Sequence, residues 1–145
     1  MDTDSIIFTE KEDDVYKPET GVYLGDMTDE LEHYGYGTYI DEFVSGGPKN
    51  YAYSTVTPNS EEKHVTIKVK GMSINSSNKE LISFQKLKGM VVDGAAPVVV
   101  HYPHKIHRTK VHEVYSKEMK KTYKIVYDKR QLVPGTFDTL PYGYN

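Results

Sequence analysis

The segment "HVTIKVKGMSI", from His64 onward, alternates strictly, with Val65, Ile67 and Val69 on one side and Thr66, Lys68 and Lys70 on the other. Successive side chains of an extended strand point to opposite faces, so this period of two predicts a strand with one buried and one polar face. Upstream, "TYIDEFVSGGPKNYAYSTV" is dense in Tyr, Val, Ile and Phe and is broken by Gly46, Gly47 and Pro48. Two strands joined by a turn are expected there. In "SSNKELISFQKLKGMVVDG" the period changes: Leu81, Phe84, Leu87 and Val91 recur at helical spacing, and Ser77 and Glu80 have the spacing of a capping box. A helix of at most two turns is expected in "TDELEHYG", where Thr28 offers an N-cap. "DTDSIIF" reads as a strand or the turn leading into one, and "PVVVHYP" and "KTYKIVYDKRQLV" as further strands. "KEDDVYKPETG" reads as a loop and "PGTFDTLPYGYN" as an aromatic, proline-containing tail. This mixed order predicts an α+β fold with a largely antiparallel sheet and packed helices.

A chain of 145 residues is the size of one ordinary domain. Its apolar content of 37% includes no run near the roughly 18 residues of a membrane span, so no membrane partner is expected. No secretory signal is visible, and an intracellular site, nuclear or at a viral or organellar replication centre, is compatible with that. With no cysteine, disulfides and thiolate metal sites are excluded.

The net charge of −3 conceals an asymmetry. Residues 1–47 carry 13 acidic side chains against Lys11 and Lys17, whereas residues 101–145 carry nine Lys and Arg against Glu113, Glu118, Asp128 and Asp138. An acidic end able to hold cations and a basic end able to hold phosphates is one reading, and an uneven solvated surface is the other.

Candidate chemistry begins at Asp2 and Asp4. On extended backbone, residues two apart share a side, so both carboxylates can converge on one point while Thr3 faces away. Two hard oxygen ligands so placed suit magnesium, and a pair of such ions is the usual device for phosphoryl or nucleotidyl transfer. Taken alone, Asp-x-Asp is a weak motif that reads first as a solvated turn at a frayed terminus. In "GGPKNYAY", Lys49 beside glycines can bring a point charge close to a phosphate, while Tyr51 and Tyr53 can pack or stack. Lys68 and Lys70, on the polar side of one strand, can meet one phosphate backbone. Residues 105–130 interleave Lys110, Lys117, Lys120, Lys121 and Lys124 with Tyr115, Tyr123 and Tyr127, a pattern suited to phosphate binding in general. His101, His104, His107 and His112 invite a zinc reading, but Pro103 interrupts them and no cysteine completes a set.

The ordered series "DTDSIIF", "EFVSGGPKNYAY", "IKVKGMSIN" and "YDKRQLVPGTFDTLPYGY" resembles the C-terminal part of a family B DNA polymerase. The likeness is to the protein-primed type encoded by Polinton (Maverick) transposons and related viral or organellar elements, and it spans Asp2 to Tyr144. The resemblance implies that Asp-Thr-Asp-Ser is the third palm motif, with Asp4 the catalytic metal ligand and Asp2 supporting it. Lys49 and Tyr51 match the family's Lys-x-Tyr-Ala element, and Lys68 matches its primer-binding lysine, while Lys70 stands where many members have tyrosine. Residues 1–75 would then be a partial palm and residues 76–145 a C-terminal palm and small thumb-like region. Primer-template DNA, deoxynucleoside triphosphates, a terminal priming protein and two magnesium ions are the implied partners and cofactors. The earlier palm aspartate and the fingers lysine of such enzymes have no counterpart here, so a fragment inactive in isolation is expected. The other expectations are a non-catalytic DNA-binding module and a small phosphohydrolase drawing on Glu10, Asp13 and Asp14.

Overall fold

The structure is a computed structural model and describes residues 5–11, 13, 16, 18–58, 60, 63–126 and 130–141. Tyr39–Ser45 (β1), Asn50–Val56 (β2) and Lys63–Val69 (β3) form an antiparallel meander in the order β1-β2-β3. The alternation seen in the sequence sets its register. Val44 lies opposite Ala52 and Ala52 opposite Ile67, so these three share the inner face, and Phe43, Tyr53 and Thr66 form the neighbouring rung on the outer face. A bulge between Ile40 and Glu42 makes Asp41 the extra residue of β1.

Phe84–Val92 (α1) packs across this meander with Phe84, Leu87 and Met90 buried. Ile82 and Leu87 are fully buried, each contributing about 1.5–3 kcal/mol relative to an exposed side chain. The helix starts later than the Ser77/Glu80 spacing predicts. Asn75 and Asn78 win the local competition for backbone donors: Asn75 Oδ1 accepts from Ser77 N at 3.0 Å and from Asn78 N at 3.2 Å, and Asn78 Oδ1 accepts from Asn75 N at 2.8 Å. The turn they hold leaves Ser83 as the N-cap, its Oγ accepting from Lys86 N at 3.2 Å. The helix expected in "TDELEHYG" is one 3-10 turn, Glu32–Tyr34, ended at Gly35 (φ 129°).

Val98–Arg108 (β4) and Val114–Tyr123 (β5) make a long antiparallel hairpin. Val100, Tyr102 and Tyr123 at its root join the core of Val44, Ala52, Ile82 and α1, so one hydrophobic cluster draws on both sides of residue 75. The outer half is largely exposed. Two corrections follow. Strand β5 begins at Val114 rather than near Lys121, and residues 124–126 are not strand. The closing tail is a small hairpin, Arg130–Leu132 (β6) with Thr139–Pro141 (β7), turned through Pro134 and Gly135 and held by Val133 N donating to Asp138 O at 2.9 Å. The α+β class and the antiparallel pairing stand, with one short α-helix among the described residues. No helix among them is long and apolar enough to cross a membrane.

Candidate nucleic-acid interface

The β1–β2 turn positions the first cation. Asn50 N donates to Gly47 O at 3.0 Å and Gly46 N to Asn50 O at 2.8 Å, closing a tight loop in which Lys49 has φ 56°. Lysine is uncommon in that left-handed region, so the loop holds it there by its surroundings. Gly47 (φ 114°) is required twice over. Its backbone is left-handed, and a Cβ at this position would lie 2.0 Å from Val126 O. The close approach allows a staple, in which Val126 N donates to Gly46 O at 3.0 Å and the buried Asn50 Nδ2 donates to Lys124 O at 3.3 Å. The segment leaving β5 is thereby fixed against the turn that carries Lys49.

Two further contacts tie β5 and β4 to the loop that follows β3. Lys121 Nζ donates to Gly71 O, and Tyr102 Oη donates to Ser73 O at 3.1 Å. The result is a cleft of about 560 Å³ whose lining includes Lys49, Lys70, Lys121 and Lys124, with Asn50 and Tyr123. Beside it runs a shallower groove of about 370 Å³ that shares Lys49 and Lys70 and adds Lys68. No carboxylate among the described residues lines either one. Among the described residues, none of these five lysines enters an ion pair. A concavity walled by one sign of charge focuses its field and concentrates counter-ions, phosphates among them.

The positive face continues up the hairpin. Lys105 Nζ reaches Ser73 Oγ at 3.1 Å and lies 5.4 Å from the Tyr102 ring centre. His107, stacked on Tyr115 with centroids 5.6 Å apart, has its pKa lowered by desolvation first and then by Lys117, Lys105 and Lys121. Tyr123, buried with its hydroxyl lacking a hydrogen-bond partner among the described residues, is pushed up to about 12 by desolvation.

Lys49, Lys68 and Lys70 therefore come together. Lys70, however, lies in the turn after β3 rather than on the strand face beside Lys68. Tyr51 is the cross-strand neighbour of Lys68 on the outer sheet face, stacked on Tyr53 with centroids 6.4 Å apart. Asp2 and Asp4, with the magnesium role implied for them, lie outside the described residues, as do Tyr127 and Tyr144. Among the described residues no group of three His, Cys, Asp or Glu could hold a metal ion. Of the four histidines, His101 Nε2 pairs with Glu118 at 2.8 Å and His112 occupies the β4–β5 turn with φ 71°.

Lys121, Lys124 and Asn50 were not separable in the sequence from their neighbours. Asn50 and Lys124 lie 74 residues apart, and only the staple at Gly47 brings them to one wall. The one local signal is the Gly-Gly-Pro turn itself.

No protein-family model, no curated protein and no solved structure matches this chain.

Proposed function

We propose that the chain grips a nucleic-acid phosphate backbone, as the palm and thumb of a family B type DNA polymerase grip primer-template DNA, in the service of template-directed nucleotidyl transfer. The observation that supports this most is the convergence of Lys49, Lys68, Lys70, Lys121 and Lys124 on two adjoining clefts with no carboxylate among the described residues of the lining. Ammonium groups on flexible stems meet phosphate oxygens without reading base edges, which is the contact a replicative enzyme needs along its product. The catalytic step implied by the resemblance requires magnesium held by Asp4 and Asp2, and it rests on that resemblance alone.

A second reading, a DNA-binding module without catalysis, rests on the same five described lysines, which can meet phosphates with no catalytic step. Duplex binding measured against salt tests both readings. Each phosphate neutralised contributes about −0.9 to the slope of log K on log salt, so a slope of about −3 to −5 is expected. Lys68→Ala with Lys70→Ala should weaken binding about 10- to 100-fold and flatten that slope. Absence of binding at low salt would sink both readings. Primer extension with magnesium that disappears in Asp4→Asn would show catalysis and overturn the expectation of a fragment inactive in isolation, whereas binding without extension is expected both of that fragment and of the module.

A further inference from the structure

The outer face of the three-stranded sheet carries a row of aromatic rings that the lysine clefts do not use. Its rungs are Ser45–Tyr51–Lys68, Phe43–Tyr53–Thr66 and Ile40–Thr55–His64. The last is closed off by Tyr34, stacked on His64 with centroids 4.7 Å apart. On the other two rungs Phe43 is 43% exposed, Tyr51 and Tyr53 are half-buried, and the rings stand 5.8 Å (Phe43 to Tyr51) and 6.4 Å (Tyr51 to Tyr53) apart. The Tyr51 and Tyr53 planes differ by only 12°. No carboxylate stands on any of the three rungs. The charges nearby are Lys68, on the rung of Tyr51, and beyond it Lys49 and Lys70 of the shallow groove.

From this arrangement we infer that the outer sheet face is a stacking platform for unpaired bases, so that the protein's preferred ligand is single-stranded nucleic acid. Aromatic rings displayed in near-parallel planes offer each successive base a π-face, and stacking of this kind is tolerant of base identity. The cations flank one end of the ring row, where the backbone of a strand lying across it would place its phosphates. A duplex can meet the same lysines but keeps its base faces within its own stack, so the rings add nothing to its binding. The inference rests on the lysine clefts for its phosphate contacts and assigns Phe43, Tyr51 and Tyr53 the choice between single strand and duplex.

The test uses the full chain and two fluorescein-labelled probes, an oligothymidylate of about 12 nucleotides and a DNA hairpin of matching length, at about 50 mM salt. Tyr51→Leu with Tyr53→Leu keeps the sheet face apolar and removes the rings. It should weaken the single-strand complex at least about 10-fold and the duplex complex less than about 2-fold, while Tyr51→Phe with Tyr53→Phe restores single-strand binding. The wild-type chain supplies a readout independent of any variant's folding. It has 13 tyrosines and no tryptophan, so stacked bases should quench its tyrosine emission with the oligothymidylate and not with the hairpin. Unchanged single-strand affinity in the Leu variant, or equal quenching by both probes, overturns the platform and leaves the lysine clefts standing. Failure of both probes to bind the wild-type chain overturns the two together.

Discussion

The two ends of the three-stranded sheet treat lysine in opposite ways. At one end Lys63 Nζ sits 2.6 Å from Asp41 and Lys88 Nζ 2.5 Å from Glu42, each cation matched to a carboxylate. The bulge in β1 helps by bringing Asp41 to Lys63 and Ser54 Oγ together, and the hydrogen bond from Lys63 first, then that from Ser54, hold its carboxyl below the usual carboxylate value. At the other end Lys49, Lys68, Lys70, Lys121 and Lys124 gather with no carboxylate among the described residues of either lining. Like charges brought together without counter-charge raise the folded state's energy unless a ligand neutralises them. The same residue type is thus paired at one end and clustered at the other, where the proposed reading puts a phosphate backbone, and the position of the described carboxylates tells the two ends apart.

The largest expected effect comes from removing the unpaired set. Lys49→Gly, Lys70→Ala and Lys121→Ala together should lower duplex affinity by about 100-fold or more at low salt and reduce the salt slope by about 2–3, measured by anisotropy titration. Glycine at position 49 also relieves the left-handed backbone, so the charge is lost without added strain. Next, Gly47→Ala puts a methyl group onto Val126 O and should cost about 3 kcal/mol of unfolding free energy by urea denaturation. DNA binding should weaken with it, because the staple that assembles the cleft is strained. Affinity that survives while stability falls would show that the cleft does not depend on the staple.

A third expectation concerns Tyr123, whose folded pKa of about 12 exceeds its ordinary value of 10.0. The unfolded chain loses this proton first, so stability is intact below pH 10 and falls as pH rises toward 12. The loss is about 3 kcal/mol when the shift is fully expressed. Tyr123→Phe should flatten that alkaline decline and be neutral or stabilising by about 1 kcal/mol at pH 7, since it removes a buried hydroxyl without a partner among the described residues. The smallest effect belongs to the paired end. Lys63→Ala or Lys88→Ala should leave the urea unfolding midpoint nearly unchanged and DNA affinity within about 2-fold. For Asp41 the depressed pKa contributes stability that is present above pH 3.8 and is lost as pH falls below it, and Lys63→Ala should shrink that acid response.

Much of the sheet was legible because its signal is local. The Gly-Gly-Pro break at 46–48 defines the turn between β1 and β2, and the alternation of residues 64–69 defines β3, each within a few positions. The helix start was misjudged because Ser77 and Glu80 carry the spacing of a cap while Asn75 and Asn78 take the backbone donors. Strand β5 was missed over residues 114–120 because its side chains are largely exposed, so "VYSKEMK" shows no buried face. Lys49, Lys68 and Lys70 could be nominated from sequence, whereas Lys121 and Lys124 could only be suspected as part of a basic stretch. Their placement depends on contacts between segments about 50 to 74 residues apart, which no periodicity records.

The Gly47–Val126 approach has a consequence in time as well as in space. Strands β1 to β3 pair with near neighbours and can form early, but the contact that closes the cleft spans nearly 80 residues of chain. Loop-closure entropy delays such contacts relative to local ones. During synthesis Lys49, Lys68 and Lys70 emerge first and stay an open, weakly attractive strip until residue 126 has left the ribosome and docked. On the proposed reading the deeper cleft, with Lys121 and Lys124, becomes available to a phosphate backbone only with that contact, whereas the shallow groove needs no residue beyond 74.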